Sequence, residues 1–477
     1  MNEKNDIEIP LYVDLDGTLI KTDLLCESFI EFIKKSPFNI LLSIKWLLKG
    51  KAHLKYKLAQ NTFIDIEKLP YNESFLCYLK NERNNGRKII LATASDYTLA
   101  KRISNHLNIF SEIIASDGKE NIKGKTKLTR IKENSGNGLF DYAGNSKHDL
   151  IIFEHARSSI LVNLNEQLLS RSPSIRVAKS FAPANSILHT FIKAIRLHQW
   201  VKNLLIFVPL FVSNQWYLPN LLIRASIGVF SFCLVASSAY VINDIFDIQN
   251  DRAHIKKKYR PFAASDITIG HGLVIFFFFS IAGLFLGYLL DAIYFFLLII
   301  YLILNLLYSI YLKKIVLIDI LILSQFYTLR VVSGGIITNI QLSFWLLAFS
   351  VFIFFSLGIA KRYTELISSN TKKNIIEGRG YTANDLTILN IMGVTSGYLA
   401  VLVLAFYINS SEVVLIYSNP KILWGVCLIF FFWTSYLWIK TSRGELKEDP
   451  ITFALKDRTS LIVFAILIID ITLAVII

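Results

Sequence analysis

Two hydrophobic periodicities divide the chain. From about Leu204 to the end, long apolar stretches alternate with short polar loops, at 202–216, 221–242, 271–290, 292–312, 316–337, 342–360, 387–408, 421–440 and 458–477. Crossing about 30 Å of hydrocarbon takes about 20 apolar residues in a helix, so these stretches predict nine transmembrane helices. The first is short, and Trp200 and Trp216 suit its interfacial ends. The earlier part has a different rhythm. Short apolar runs at 11–19, 88–95, 113–118, 139–145 and 159–163 alternate with helical stretches, the longest over about 23–83. Five such strands separated by helices predict an α/β doubly wound parallel sheet. Chemistry in these sheets sits at the carboxyl ends of the strands. The pattern therefore predicts a soluble domain over 1–185 and an all-α polytopic membrane domain over 186–477.

Composition sharpens the division. The 477 residues are 53% hydrophobic and 18% charged, which excludes a single soluble globule and a disordered chain. The formal charge of +14 follows loop parity. The loops after the second, fourth, sixth and eighth stretches (243–270, 313–314, 361–386 and 440–458) hold 17 Lys and Arg, and the loops on the other side essentially only Lys421. The positive-inside rule then places the soluble domain and these loops in the cytoplasm of an inner or plasma membrane protein. The basic residues form no aromatic-interleaved stripe, so nucleic acid is not an expected partner. The cysteines Cys26, Cys77, Cys233 and Cys427 lack CxxC spacing, which argues against a disulfide framework or a zinc site. The acidic start MNEKNDIEIP has no basic region before an apolar core, so no cleaved signal peptide is expected.

Four short motifs lie at the strand ends of the soluble part: Asp14-Leu15-Asp16-Gly17-Thr18, Thr93 closing KIILAT, Lys127 in Gly124-Lys125-Thr126-Lys127, and Gly144-Asn145-Ser146-Lys147-His148-Asp149. Their order resembles the haloacid dehalogenase-like (HAD) phosphohydrolases over residues 7–180. The resemblance implies Asp14 as a nucleophile that forms an aspartyl-phosphate, and Asp16 as the acid/base. It also implies Thr93 and Lys127 on the phosphoryl oxygens, Mg²⁺ held by Asp14, Asp16 and Asp149, and a small helical cap over 23–83. The sequence departs from the family at Asn145, where an acidic residue is usual.

The second apolar stretch ends in Asn243-Asp244-Ile245-Phe246-Asp247-Ile248-Gln249-Asn250-Asp251. On a continuous helix, Asp244, Asp247 and Asp251 share one face, at i, i+3 and i+7. Three carboxylates beside a membrane span repel one another unless they share cations, and Mg²⁺ bridging a diphosphate is the obvious use. This run resembles the aspartate-rich motif of the UbiA-type intramembrane prenyltransferases. HQWVKNLLIF (198–207), YSIYLKKIVLIDI (308–320), LRVVSGG (329–335), AKRYTEL (360–366) and GELKEDPITFALKDR (444–458) are similar to the branch that transfers phosphoribosyl to a polyprenyl phosphate, the decaprenyl-phosphate phosphoribosyltransferases. Relatives that prenylate aromatic rings usually carry a second aspartate-rich motif, where this sequence reads Lys361-Arg362-Tyr363-Thr364-Glu365.

The resemblance implies transfer from phosphoribosyl diphosphate (PRPP) to the lipid phosphate. Lys202, Arg252, Arg260, Lys313, Arg330, Lys361 and Arg362 would neutralise the phosphates, with Glu365 beside them. Asn243 and Tyr308 would orient the diphosphate or ribose, and Asp319 would take a ribose hydroxyl or a second metal. Two alternatives stay open. One is a prenyltransferase using a prenyl diphosphate donor on an aromatic or other acceptor. The other is an inactive membrane anchor or lipid transporter with the phosphatase as the only enzyme.

Overall fold

The computed structural model describes residues 9–164, 175–182, 186–368, 379–410, 413, 417–446 and 449–476. The chain forms two compact units, Met1–Ile195 with Asp244–Val274, and Arg196–Asn243 with Ile275–Ile477. The expected boundary after residue 185 falls outside the described residues. The first unit runs ten residues further, and it takes in the polar segment that follows the second span.

The first unit is built on a six-stranded parallel sheet of order β3-β2-β1-β4-β5-β6. Its strands are β1 (Leu11–Val13), β2 (Ile89–Asp96), β3 (Glu112–Ser116), β4 (Asp141–Gly144), β5 (Ser158–Val162) and β6 (Val177–Phe181). Side chains alternate across a strand, so each strand feeds both faces. Leu11, Val13, Ile89, Leu91, Ile160 and Val162 pack on one side with Phe75 and Ile103. Tyr12, Ile90, Ala92 and Leu161 pack on the other with Leu128, Ile131 and Phe153. Apolar residues on both faces explain why the strands read as unbroken hydrophobic runs. β6 was not expected: VAKSF is an exposed edge strand and carries little apolar signal.

The longer helices wholly within this unit are α1 (Leu24–Lys35), α2 (Asn39–Leu48), α3 (Lys51–Asn61), α4 (Glu73–Asn84), α5 (Tyr97–Leu107) and α6 (Lys125–Asn134). The first four fill the stretch expected for the cap. α1 starts where Asp23 accepts hydrogen bonds from the Leu25 and Cys26 amides at 2.8 and 3.2 Å, a side-chain cap for otherwise unpaired donors.

Among the described residues eight helices are long and apolar enough to cross a membrane. Seven lie within the second unit or nearly so: α7 (Pro219–Phe246), α9 (Ala292–Ile310), α10 (Ile318–Thr338), α11 (Phe344–Ser368), α12 (Leu386–Ile408), α13 (Trp424–Ser442) and α15 (Arg458–Ile476). The eighth, α8 (Ile269–Leu290), begins in the first unit and continues in the second, and a short helix, α14 (Pro450–Lys456), precedes α15. The expected first span, 202–216, takes another form. Leu197–Phe207 is a 3₁₀ helix, followed by a five-residue α-helix, Val208–Val212, with Pro209 in its first turn. Lys202 and Asn203 are buried within it, polar residues that a lipid-facing span would not hold. Small residues let the spans approach: Ser231 Oγ donates to the Gly283 carbonyl at 2.7 Å, and Ser356 Oγ to the Gly393 carbonyl at 2.7 Å.

Candidate active sites

The four motifs of the first unit converge at the carboxyl ends of β1, β2 and β4. Asp14 follows β1 directly, and the Lys127 ammonium, from the first turn of α6, lies 2.8 Å from Asp14 Oδ1 and 3.9 Å from Asp149 Oδ1. Tyr142 accepts from Lys127 at 3.1 Å and donates to Asp149 at 2.9 Å. The Ser146 amide and hydroxyl fix the other Asp149 oxygen at 3.0 and 2.7 Å. Asp16 accepts from the Ser95 hydroxyl and from the Leu24 amide, the latter at 3.0 Å. Thr93 is buried, and its hydroxyl accepts from the Ser95 amide at 3.0 Å. Ser95 was missed in the sequence, although it stands two residues beyond Thr93.

Burial sets the protonation of this site. It raises the Asp14 carboxyl, against the pull of Lys127. Burial, reinforced by Asp23, pushes Asp16 up to about 7, which suits a group that gives and takes a proton near neutrality. Burial alone would favour a neutral Lys127, but Asp14 and Asp149 outweigh it and keep the ammonium charged. Asn145 sits on the first motif's loop, where its Oδ1 accepts from Thr18 Oγ1 at 3.2 Å. Gly17 has φ +77°, and a Cβ there would lie 2.0 Å from Asn145 Nδ2, so glycine is required twice over.

The aspartate-rich run does not continue one helix as expected. α7 ends at Phe246, and Asp247 stands just before a second short helix, Ile248–Ala253. The chain then folds back so that Arg260 reaches both Asp244, at 3.1 Å, and Asp251, at 2.7 Å. Burial pushes Asp251 up to about 6, with Asp244 adding to it and Arg260 opposing it. Arg252 is bound within the first unit: both carboxylate oxygens of Glu27 accept from it at 2.9 and 2.6 Å, the Ala263 carbonyl at 2.9 Å and Ser265 at 3.2 Å. These contacts take up the Arg252 guanidinium, which is the reverse of a cation held open for phosphate.

Among the described residues no group of three or more His, Cys, Asp or Glu stands ready to hold a metal. Both expected metal trios, Asp14/Asp16/Asp149 and Asp244/Asp247/Asp251, are held instead in pairs by a protein cation, Lys127 in one and Arg260 in the other. The donor chemistry still fits a hard divalent ion. Both sets offer carboxylate oxygens, and in each a positive charge already sits between two of them.

The second unit carries two charge clusters. In one, Lys202 and Lys361 share Asp449 Oδ2, at 2.8 and 3.1 Å. Burial works to raise Asp449, but the two lysines outweigh it and hold the carboxyl well below the usual range. Nearby, Arg330 is buried and donates to Asn203 at 2.7 Å, to Tyr301 at 3.3 Å and to the Phe326 carbonyl. Its guanidinium carbon is 4.8 Å from the Phe232 ring centre, and it shares the Tyr327 ring with Lys202. None of these Arg330 partners is a carboxylate. In the other cluster, fully buried Asp319 accepts from Tyr308 at 2.6 Å, from Arg362 at 2.9 Å and from Arg379 at 3.0 Å. Glu365 accepts from Arg362 at 2.7 Å and pairs with Arg379 at 3.5 Å. Two arginines balance two carboxylates here, and all three Arg362 nitrogens are engaged. Asn243 accepts from Ser309 at 2.9 Å, and Lys313 is buried. Asp449 and Arg379 went unnoticed in the sequence. Asp449 had a signal, an acidic cap before Pro450 at a helix start, whereas Arg379 had none.

Comparison with known proteins agrees with the membrane half. The family model described as "UbiA prenyltransferase family" matches residues 204–455. An uncharacterized protein of Sinorhizobium fredii, y4nM, is 34% identical over 466 residues, covering 97% of this chain and 90% of its own. A decaprenyl-phosphate phosphoribosyltransferase of Mycolicibacterium smegmatis is 28% identical over 289 residues, covering 59% of this chain and 91% of its own. The structure of a UbiA homolog from Archaeoglobus fulgidus bound to DMAPP and Mg²⁺ aligns at 15% identity and TM-score 0.45, covering 60% and 99% of the two chains. The matched segment is more than half the chain and holds the aspartate-rich run and both charge clusters apart from Lys202 and Asn203, so the chain belongs to the UbiA prenyltransferase family.

Proposed function

We propose that this protein transfers phosphoribosyl from PRPP to a polyprenyl phosphate, releasing diphosphate, and that the HAD-like domain then removes a phosphate from a phosphorylated sugar or the lipid-linked product. Both halves work on the cytoplasmic face of the inner membrane in this reading. The observation that carries it is the cluster of Lys202, Lys361 and Arg330, three buried or half-buried cations set against one carboxylate, Asp449. A surplus of charge in an apolar bundle is costly unless an anion completes it. PRPP carries a 5-phosphate besides its diphosphate, and the lipid acceptor carries another, so phosphorylated substrates suit this surplus. Homology to decaprenyl-phosphate phosphoribosyltransferases supports the same choice.

In this reading Asp244, Asp247 and Asp251 hold the donor diphosphate through divalent metal. Mg²⁺, when bound, supplies the Lewis-acid charge that eases departure of the diphosphate. Lys202, Lys361 and Arg330 bind phosphate oxygens. Tyr308 and Asp319, fixed by Arg362 and Arg379, present a rigid polar edge to the ribose. The lipid phosphate is already ionised at neutral pH and attacks the anomeric carbon without a protein nucleophile. In the HAD-like domain Asp14 attacks phosphorus, Asp16 protonates the leaving oxygen, and Thr93 and Lys127 hold the phosphoryl group.

Mass spectrometry of the lipid formed by purified protein with Mg²⁺, PRPP and a polyprenyl phosphate tests the proposal. Formation of a phosphoribosylated lipid is expected. Turnover of a prenyl diphosphate with an aromatic acceptor, and none of PRPP, would reject it. A second expectation concerns Lys361. A charge-assisted hydrogen bond contributes about 1.5–3 kcal/mol, so Lys361→Ala raises KM for a phosphorylated substrate about tenfold or more while Lys202 keeps Asp449 paired. Unchanged KM for both substrates assigns Lys361 to topology alone.

A further inference from the structure

Helix α2 of the first unit is built inside out. Its residues Asn39, Ser43 and Trp46, at i, i+4 and i+7, face its own domain. Asn39 Nδ2 donates to the Phe32 carbonyl at 2.8 Å, and Trp46 stacks on the Phe32 ring with centres 5.0 Å apart. The opposite side is apolar and uncovered: Phe38 is 79% exposed, Leu41 68%, Ile44 51% and Leu48 84%. A soluble domain normally turns such residues inward and its polar residues outward. The surrounding chain is basic. Between Phe32 and Ile64 stand seven lysines and not one Asp or Glu.

We propose that α2 is an interfacial helix that lies in the headgroup layer of an anionic phospholipid surface. Ten residues at 1.5 Å each make a helix about 15 Å long, too short to span a bilayer but suited to lying in its plane. Leucines and a phenylalanine on one side with lysines around them are the chemistry that binds such surfaces, apolar area entering the acyl boundary and ammonium groups meeting lipid phosphate. Among the described residues eight helices of the same chain are long and apolar enough to cross a membrane, so this domain is tethered in the vicinity of lipid.

The test uses the full-length protein in lipid nanodiscs, with Cys26 and Cys77 changed to Ser. An environment-sensitive fluorophore is placed on Leu41→Cys or Leu48→Cys, and for comparison on Leu139→Cys, a site 65% exposed just before β4. Side chains this exposed can be replaced without disturbing the fold. In phosphatidylglycerol-containing discs, headgroup-proximal doxyl lipid is expected to quench the two helix probes at least twofold more than the Leu139 probe. The difference should shrink by half or more in pure phosphatidylcholine. Equal quenching at all three sites overturns the proposal, as does quenching indifferent to lipid charge. Cross-linking of two copies through Leu48→Cys without lipid quenching also overturns it and assigns the face to a second copy of the chain.

Discussion

Asp244→Ala or Asp247→Ala is expected to lower the proposed transfer of phosphoribosyl to lipid by orders of magnitude. A metal-held diphosphate gains several kcal/mol as it departs, and each 1.36 kcal/mol is tenfold in rate. A loss of about a hundredfold to a thousandfold in kcat is therefore expected, along with full dependence on a divalent cation. Asp244 is also one of the two carboxylates held by Arg260, so its removal shifts that arginine wholly onto Asp251. Asp247 is a second probe, at the joint between α7 and the next helix. The measurement is product formation by each variant in reconstituted membranes, with and without EDTA. Wild-type rates from either variant after EDTA treatment reject the assignment of these carboxylates to metal.

The Asp14→Asn variant separates the two activities. An amide cannot attack phosphorus, and losing a nucleophile costs factors on the order of 10³ to 10⁶ in other hydrolases. Phosphate release is expected to fall to background while phosphoribosyl transfer continues at the wild-type rate. The lipid then accumulates at full phosphorylated mass, whereas the wild type loses roughly 80 Da, one HPO₃ unit carried off through the aspartyl-phosphate. If wild type and variant leave the same lipid mass, the HAD-like domain does not act on this lipid. Asparagine keeps the shape of the side chain, so Lys127 retains an acceptor and Asp149 at close range.

The sheet was legible because its central strands are buried on both faces and read as continuous apolar runs. β6 escaped notice because an edge strand with exposed side chains has no such signature. Long spans announce themselves by length, but the 3₁₀ stretch at 197–207 was hidden, since periodicity does not separate a buried polar-lined segment from a short span. The carboxylates of both candidate sites were visible as spaced motifs. Lys127 and Arg260 were visible too, but their pairing with those carboxylates was not; Asp449 escaped notice because it meets Lys202 across 247 positions. The resemblance likewise put Arg252 and Arg362 near phosphate chemistry, while three-dimensional contacts occupy both with protein acceptors. A single sequence carries charge, but the pairing of charges belongs to the fold.

The Glu27–Arg252 pair joins residues 225 positions apart inside one compact unit. At about 5–20 residues per second, Arg252 leaves the ribosome roughly 11 to 45 seconds after Glu27. A domain of this size folds within milliseconds to seconds, so the N-terminal sheet and its helices are complete long before their last segment arrives. Until then a buried carboxylate stands without its guanidinium. Residues 196–243, which belong to the other unit, are synthesised before 244–274 can close the gap. The order of synthesis thus makes the folded N-terminal domain a waiting template, and severing the gene between the two halves would leave it short of a piece encoded within the membrane half.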